Sequence, residues 1–533
     1  MGAERQDDRT TREEKSFFSR EAVSGISWMV VSKLVLFVVY FCVSILTVNG
    51  LGREKFGIYS LMTNISSYLL VLCGLGLCTA LMRYIPELAA RKNRRALGHL
   101  LWKSASLQLI AILLASLLLI SLTGPVQRLF KAEHVEYFGF YLKLACGLTA
   151  LLLLKDFVGT AFTSIFNTRT VAILSVCHGL LWLVALLIGI DIRAEVGTVL
   201  CVQMLAVGVV YLFGAVILTR YIVALPWTNR EYGIGKKRTL AFSGVVVLNS
   251  VLRMVMFKYS EVFFIATIGG TTLAGIYDLG YTLPFTAVSF IPMALLPLFT
   301  SAFAEAYTRD RDCLDLLIPS YYKLLMIVAL PVAVLGAFFS PVAYRIIYKG
   351  QMDESGALAS AFCLVLCLPL FSMPLSAAIK AKEKMLSMVP MLLIQIVVNL
   401  LLDWLLIIHY RLGVWGGVGA VLGTFILTIP IRIRYVQHII GGVYFPVRFF
   451  LRISITLVLE GGVLYAIASW LRLFDQYENE LVNMGLLLLV ASLYALLFLR
   501  LVRTHRIVRE EDIRDFHNLG IRPLNRVLDY MVR

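Results

Sequence analysis

Charged residues are scarce in this sequence. Asp, Glu, Lys and Arg account for 15% of its 533 residues, whereas a soluble domain contains about 25%. Apolar residues account for 59% and form long continuous runs, which excludes a soluble enzyme, a disordered chain and the alternating strands of an outer-membrane barrel. Because a membrane-spanning helix uses roughly 20 apolar residues, the composition predicts an all-α polytopic membrane protein.

Motifs for nucleotide, metal or nucleophilic chemistry are also missing. The Gly-Lys pair at 235–236 is not a P-loop, because Arg230 and Lys237 occupy positions that need glycine and a hydroxyl residue. Cys363 and Cys367 lie one helical turn apart, but no nearby histidine completes a zinc site. Nearly all nine cysteines lie in apolar runs, so we expect no disulfide framework, no bound metal, no cofactor and no enzymatic activity.

Apolar runs separated by charged or turn residues predict fourteen membrane-spanning helices. The first run is too long for the apolar part of a signal peptide, so we assign it to a helix. The predicted spans are 25–48, 57–80, 97–122, 138–160, 170–190, 199–221, 241–267, 273–300, 314–338, 356–379, 386–408, 415–435, 451–470 and 481–500. The longest outer connection is predicted at 340–355, which leaves no room for a catalytic domain outside the membrane.

Lysine and arginine are distributed unequally between the two sides of these spans. The net charge is +16, and the tails together with the connections on their side carry 33 basic residues, against nine on the other side. Cytoplasmic segments of membrane proteins carry this excess. We therefore expect both termini on the cytoplasmic side of the cell (inner) membrane, and the charge requires no nucleic-acid partner.

A repeat relates the two halves of the chain. The segment from Gly52 to Tyr59 aligns with the segment from Gly270 to Tyr277 at an offset of 218 residues, and four of eight positions are identical. Each segment follows the first span of a six-span block, and six is even, so the repeats are parallel and predict alternating access through a cavity between them. The predicted organisation is an N-terminal tail (1–24), a six-helix bundle (25–221), a basic linker (222–240), a second six-helix bundle (241–436), two additional helices (451–500) and a C-terminal tail (501–533).

The first repeat segment also carries a family motif. Gly52, Gly57 and Tyr59 lie where the first two spans join, and Arg83 follows the second span. These residues, with twelve core helices followed by two more, resemble the polysaccharide-transporter (O-antigen-type flippase) family of the multidrug/oligosaccharidyl-lipid/polysaccharide flippase superfamily. The resemblance implies a flippase that moves a polyprenyl-diphosphate-linked oligosaccharide from the cytoplasmic to the outer leaflet.

Ionisable residues inside the predicted spans are the candidate site residues, because they are costly in a membrane and usually face a cavity. Lys33, Arg253 and Lys258 are the candidate bases for the substrate diphosphate. Two of them have structural alternatives, since Lys33 can extend to the membrane surface and Lys258 can pair with Glu261 at i,i+3. Glu261 and Asp278 are candidate cavity acids or coupling residues.

A polar stripe marks the eleventh predicted span. Gln395, Asn399 and Asp403 recur every fourth residue, so they lie on one side of a helix. Two interpretations remain open at this point. The stripe can face the sugar of a substrate, or it can form hydrogen bonds between helices.

Two other functions compete with the flippase. A drug/cation antiporter of the same superfamily needs intramembrane acids, which Glu261 and Asp278 supply. A membrane glycosyltransferase or polymerase needs a large outer loop or a carboxylate-rich metal site, and the sequence has neither. With no ATP-binding motif, we expect H⁺ or Na⁺ gradients, membrane potential or product removal to drive transport, with membrane lipids as surroundings. The sequence predicts no particular oligomeric state.

Overall fold

The structure is a computed structural model that describes residues 2–90, 94–165, 167–224, 260–309, 314–381, 385–440, 445–471, 473–474 and 480–504. No β-strand occurs in these ranges, and the predicted all-α polytopic fold is confirmed. The α-helices are α1 (Gly2–Gly74), α2 (Leu77–Ala90), α3 (Arg94–Ser121), α4 (Thr123–Leu129), α5 (Phe138–Ser164), α6 (Thr168–Ile192), α7 (Val196–Ala224), α8 (Ser260–Arg309), α9 (Leu314–Ile347), α10 (Asp353–Val365), α11 (Met373–Ala381), α12 (Val389–Asp403), α13 (Gly413–Ile440), α14 (Val447–Trp470) and α15 (Glu480–Thr504).

The helices have the length and apolarity of membrane-spanning segments. Within the described ranges, twelve helical stretches are long and apolar enough to cross a membrane. Two of these stretches, Val31–Gly74 and Ser260–Phe290, contain a break at a glycine and cover parts of two predicted spans each. All fourteen predicted spans therefore overlap a helix, and residues 241–259 of the seventh lie outside the described residues. The chain is a multi-pass membrane protein.

The predicted boundaries around the ninth span are wrong. Helix α9 continues through Pro341 to Ile347, so the connection to α10 is 348–352 rather than the predicted 340–355. The predicted span ends at residue 338, three residues before Pro341, and proline commonly ends a helix because it removes a backbone donor. Proline is nevertheless tolerated in membrane helices, because neighbouring groups satisfy the freed backbone carbonyl.

The predicted span 356–379 is not one continuous α-helix. Helix α10 ends at Val365, a 3₁₀ segment covers Leu368–Ser372, and α11 begins at Met373. Pro369 lies within the tighter segment, consistent with proline ending a regular helix on its N-terminal side. Hydropathy does not detect this break, because the residues on both sides of it are apolar.

Two glycines break long helices in the same way. Gly52 in α1 has φ 74° and ψ 172°, and Gly270 in α8 has φ 75° and ψ −177°. This backbone region is essentially restricted to glycine. A Cβ on Gly270 would meet no atom within 4 Å, so backbone conformation rather than crowding requires glycine there. These are the two residues that begin the repeated segment.

The chain divides into two compact units, Met1–Met254 and Val255–Arg533. In the N-terminal unit, apolar side chains from α2, α5, α6 and α7 form a core that includes Leu81, Phe162, Leu174 and Tyr211. Helices approach closely at small residues. A Cβ on Gly179 would lie 2.7 Å from a methyl group of Leu36, which is the kind of contact that membrane helices use for association.

In the C-terminal unit, α14 and α15 pack on α9. Their shared core includes Tyr321, Tyr322, Phe449 and Tyr494. Gly461 of α14 permits close approach, because a Cβ there would lie 2.8 Å from the Phe338 ring on α9. The two additional C-terminal helices are therefore packed parts of this unit. The predicted boundaries 25–221, 241–436 and 451–500 remain predictions.

Candidate functional site

Glu261 is the centre of a buried polar cluster in the C-terminal unit. It lies at the start of α8 and is 0% exposed. The side-chain amide of Asn399 on α12 donates to its Oε1 at 3.1 Å. The Ser260 hydroxyl lies 3.3 Å from its Oε2 and 3.2 Å from the Asn399 side-chain oxygen. Both carboxylate oxygens of this intramembrane acid therefore have a polar neighbour.

The predicted polar stripe on α12 faces α8 and α13. Gln395 donates to the Thr428 hydroxyl at 3.0 Å, and Asn399 approaches the Thr424 hydroxyl at 3.4 Å. Each threonine also donates to a carbonyl four residues earlier, which fixes the hydroxyl position. The stripe is buried, so these contacts favour hydrogen bonding between helices over direct exposure to a sugar.

Asp403 completes the stripe with unused hydrogen-bonding capacity. It is fully buried, and neither carboxylate oxygen has a hydrogen-bond partner among the described residues. A π-helical segment, Trp404–His409, begins at the next residue, and such segments occur frequently at functional sites. Helix α13 packs closely here, since a Cβ on Gly416 would lie 2.9 Å from the Leu406 carbonyl oxygen.

The cluster defined by Ser260, Glu261, Gln395, Asn399, Asp403, Thr424 and Thr428 is hereafter called the polar cluster. Its donor atoms are carboxylate, amide and hydroxyl oxygens, which suit a hard cation or a proton held between acids. Among the described residues, no three His, Cys, Asp or Glu side chains gather as a metal site. A monovalent cation or proton therefore suits this arrangement of two acids and neutral oxygens better than a transition metal.

Asp278 lies in a different, aromatic environment. It is nearly buried, and Thr282 donates to its Oδ1 at 3.2 Å. Tyr277 and Tyr281, on either side in α8, stack at 6.4 Å and both contact the Phe362 ring edge to face. Asp278 therefore has its own hydroxyl partner on α8, one turn further along the helix.

Of the three predicted substrate-binding bases, the structure describes only Lys33. Lys33 lies on α1 with an exposed side chain. Arg253 and Lys258 lie outside the described residues, and Arg83 lies in α2 with its side chain outside the described part. The three bases therefore remain a prediction from the sequence.

The family-motif residues occupy structural positions. Gly52 provides the helix break described above, and Gly57 is buried in the following turns of α1. The Tyr59 hydroxyl donates to the Gln203 side-chain oxygen on α7 at 3.3 Å. Gly52 therefore breaks α1, and Tyr59 connects the part of α1 after this break to α7.

Sequence reasoning missed several members of the buried polar environment. Thr424 and Thr428 have the same four-residue spacing as the stripe on α12, and this spacing could have identified them. His178 was also missed. It is buried, stacks with Trp182 at 6.0 Å, contacts Tyr211 edge to face at 5.9 Å, and neither ring nitrogen has a partner in the described part of the chain.

Comparison with solved structures shows the fold. An inward-facing multidrug resistance MATE family transporter of the MOP superfamily matches with TM-score 0.61 and 15% identity, over 77% of this chain and 98% of the transporter. The lipid II flippase MurJ, in an inward closed conformation, matches with TM-score 0.60 and 15% identity, over 92% of this chain and 100% of the flippase. An outward-facing MATE transporter matches with TM-score 0.57 and 16% identity, over 78% and 95%.

Sequence comparison gives the family. No curated protein sequence matches the chain. The profile of a family described as polysaccharide biosynthesis protein matches residues 22–303, which is more than half of the chain and includes the whole of α2 to α7 as well as both glycine breaks. This match confirms the predicted family: the chain belongs to the polysaccharide biosynthesis protein family.

Proposed function

We propose that this protein moves a polyprenyl-diphosphate-linked oligosaccharide from the cytoplasmic to the outer leaflet by alternating access. The observation that carries the proposal is the extent of the structural likeness. The likeness to the lipid II flippase covers 92% of this chain. The part that is not covered is smaller than the segment 441–533, so the likeness extends into the C-terminal helix pair, α14 and α15. The likeness to the two MATE transporters covers 77–78% of this chain. The family description points to the same class of substrate.

The charge of this substrate sets what the protein must supply. A diphosphate leaving water needs cationic or hydrogen-bonding partners, because an unpaired buried charge costs several kcal/mol. Arginine offers paired N–H donors to phosphate and lysine offers a point charge. Arg253, Lys258 and Lys33 are the proposed partners. A few mobile bases also permit release on the far side, which a tight cage would prevent.

The polar cluster is the proposed coupling site. Transport against a gradient needs an energy source, and the sequence has no ATP-binding motif. Glu261 and Asp403 are buried carboxyl groups on different helices, and binding of H⁺ or Na⁺ between such groups offsets the cost of burying their charge. The cation would then bias the conformational equilibrium by its different affinity for the two states.

The same cluster supports the second candidate, a cation-coupled drug antiporter, because buried acids can also hold an organic cation. The two functions differ in which charges they need.

Export of lipid-linked sugar in a flippase-deficient cell should fall at least tenfold for Arg253→Ala, with partial activity for Arg253→Lys and normal export for the control Arg434→Ala. An antiporter predicts tolerance at Arg253 and drug resistance that depends on Glu261. Normal export by a Lys33→Ala, Arg253→Ala, Lys258→Ala triple variant at normal expression would contradict the flippase proposal.

The proposed orientation places both termini in the cytoplasm. Reporter fusions after Arg95, Arg238 and Arg533 should give cytoplasmic signals, and a fusion after Gln351 should give an external signal, because these positions follow the Lys and Arg bias. Gln351 lies in the short connection between α9 and α10, so this fusion interrupts no helix. A cytoplasmic signal from Gln351 would contradict the orientation.

A further inference from the structure

A groove with a volume of about 850 Å³ lies entirely within the N-terminal unit. Its walls are the first part of α3 and the last parts of α5 and α7. The volume is within the range of about 300–1,000 Å³ found for small-molecule sites. None of the residues that line it belongs to the polar cluster, so it is a separate feature of the protein.

The two ends of this groove differ in charge. One end is formed by Arg94, Arg95 and His99 at the start of α3. Beyond it, the walls are almost wholly apolar, with Leu109 and Phe157 among them. A ligand that suits both parts has an anionic head and an apolar body.

The few polar side chains in the apolar part are already used. Gln108 donates its side-chain amide to the Gly74 carbonyl at 3.2 Å, and Thr219 donates its hydroxyl to the Ala215 carbonyl at 2.8 Å. Their donors are therefore satisfied by backbone. The apolar part presents few hydrogen bonds to a sugar, whose hydroxyl groups would lose water without compensation.

The depth of the groove matches one membrane leaflet. From Leu101 to Ile112 the wall is twelve residues of α3, which rise by about 16 Å at 1.5 Å per residue, and one leaflet contributes half of a hydrocarbon core of about 30 Å. Trp102, which is 74% exposed, lies beside the basic end, where an aromatic side chain is typical of the membrane–water interface. The Lys and Arg bias places this end on the cytoplasmic side, whose leaflet carries anionic lipids.

From this geometry we propose that the groove binds an anionic glycerophospholipid of the cytoplasmic leaflet. Arg94 and Arg95 contact its phosphate group, for which guanidinium is well shaped, and the acyl chains lie between α3, α5 and α7. The leaflet-length groove favours this lipid over the longer polyprenyl tail of a flippase substrate. The site is independent of the sugar and of the proposed direction of transport.

The test measures lipid retention by the purified full-length protein. Native mass spectrometry in detergent is performed after incubation with an equal mixture of phosphatidylglycerol and phosphatidylethanolamine. The wild-type protein should retain phosphatidylglycerol preferentially. The Arg94→Gln, Arg95→Gln double variant should reduce that retention on the order of tenfold, since it removes charge-assisted hydrogen bonds to the phosphate. Arg434→Gln, Arg448→Gln is the matched control, because it removes two exposed arginines outside the groove.

A second variant tests the apolar part. Gly98 lines the groove, and a Cβ there meets no atom within 4 Å, so Gly98→Leu should fill the groove without disturbing α3. It should reduce retention of both lipids, whereas Gly124→Leu, at a similarly open glycine outside the groove, should not. If the double arginine variant does not fold, Arg95→Gln and Gly98→Leu provide the same test.

Three results would overturn the proposal. The first is equal lipid retention by wild type, Gly98→Leu and the arginine variants, which would indicate only surrounding lipid. The second is equal retention of the two lipids by the wild-type protein. The third is displacement of phosphatidylglycerol by an equimolar amount of polyprenyl phosphate, which would assign the groove to a substrate tail. Because no sugar is present, failure here is distinguishable from failure of the flippase proposal.

Discussion

The two units share a helix break but differ in their buried polar groups. Gly52 and Gly270 have the same backbone conformation, yet the polar cluster occurs only in the C-terminal unit. At the offset of 218 residues, Glu261 corresponds to Val43, and the counterparts of Asn399, Asp403 and Thr424 are Leu181, Ala185 and Ala206. Every polar position of this set is apolar in the other half.

The comparison shows which positions of the repeat are the same in both halves and which differ. A left-handed break accepts essentially only glycine, so the backbone requirement is met by the same residue twice. Buried polar groups are costly in a membrane and are retained where they have a use. The groove gives the opposite asymmetry, since Arg94, Arg95 and His99 correspond to Asp312, Cys313 and Leu317. The halves thus share a scaffold and differ in the polar and basic residues that they carry.

The largest expected effect comes from moving the acid between units. Val43→Glu places a carboxyl group at a buried position of α1 that lacks the counterparts of Asn399 and Thr424, and burying it unpaired costs several kcal/mol. The protein should fail to accumulate in the membrane, as measured by immunoblotting. Val43→Gln, the uncharged control, should accumulate better.

The reciprocal change should have a different result. Glu261→Val gives the C-terminal unit the residue of the N-terminal unit. It leaves the buried Asn399 amide without its 3.1 Å acceptor, which should cost about 1–3 kcal/mol, so accumulation should fall less than for Val43→Glu. Export should fall at least tenfold, because the proposed coupling group is lost. Normal export by Glu261→Val would show that the difference between the units has no functional role.

Because both units contain the same glycine break, we expect substitution of either glycine to reduce stability by a similar, intermediate amount. Gly52→Ala and Gly270→Ala should each destabilise the protein by about 1–3 kcal/mol, because alanine is strained at this positive φ. Thermal unfolding of purified protein measures the change. Gly159→Ala is the control, since a Cβ there meets no atom within 4 Å and no positive φ occurs, and it should be neutral or slightly stabilising. A large difference between the two glycine variants would weaken the structural equivalence of the repeats.

The smallest expected effect concerns the threonines of the polar cluster. Thr428→Val leaves the Gln395 amide without its 3.0 Å acceptor and should cost about 1 kcal/mol, measured by thermal unfolding. Thr428→Ser keeps the hydroxyl and should restore most of that loss. Val210, the counterpart of Thr428 at the repeat offset, is the control. Val210→Thr adds a hydroxyl group, but the counterpart of Gln395 is Cys177, so no glutamine amide there donates to it and the protein should not become more stable. Equal stability of Thr428→Val and Thr428→Ser would contradict a role for this bond.

The sequence predicted the scaffold better than the site. Hydropathy and periodicity located the spans because a bilayer imposes one length and one polarity on every helix. The repeat at Gly52 and Gly270 was visible because a backbone constraint fixes residue type. Spacing also placed Gln395, Asn399 and Asp403 on one side of a helix, but it could not identify the partner helix, since a stripe carries no information about what packs against it.

Contacts distant in sequence account for the features that were missed. Ser260 and Asn399 are 139 residues apart, and the groove combines three helices whose individual sequences look like ordinary membrane spans. The 3₁₀ segment at Leu368–Ser372 and the π-helical segment at Trp404–His409 escaped detection because both are as apolar as their surroundings. Such breaks depend on backbone geometry, to which composition is insensitive.

The π-helical segment after Asp403 has a consequence for insertions and deletions in this region. Here the amide of Tyr410 bonds to the carbonyl of Leu405, five residues earlier, so the turn holds one residue more than an α-helical turn. Deleting one residue between 404 and 409 would restore an α-helical turn and leave the angular position of the polar stripe nearly unchanged, whereas inserting one would rotate the stripe relative to the following connection by about 100°, the rotation per residue of an α-helix. The length of this six-residue segment therefore matters to the cluster more than the identity of any apolar side chain within it.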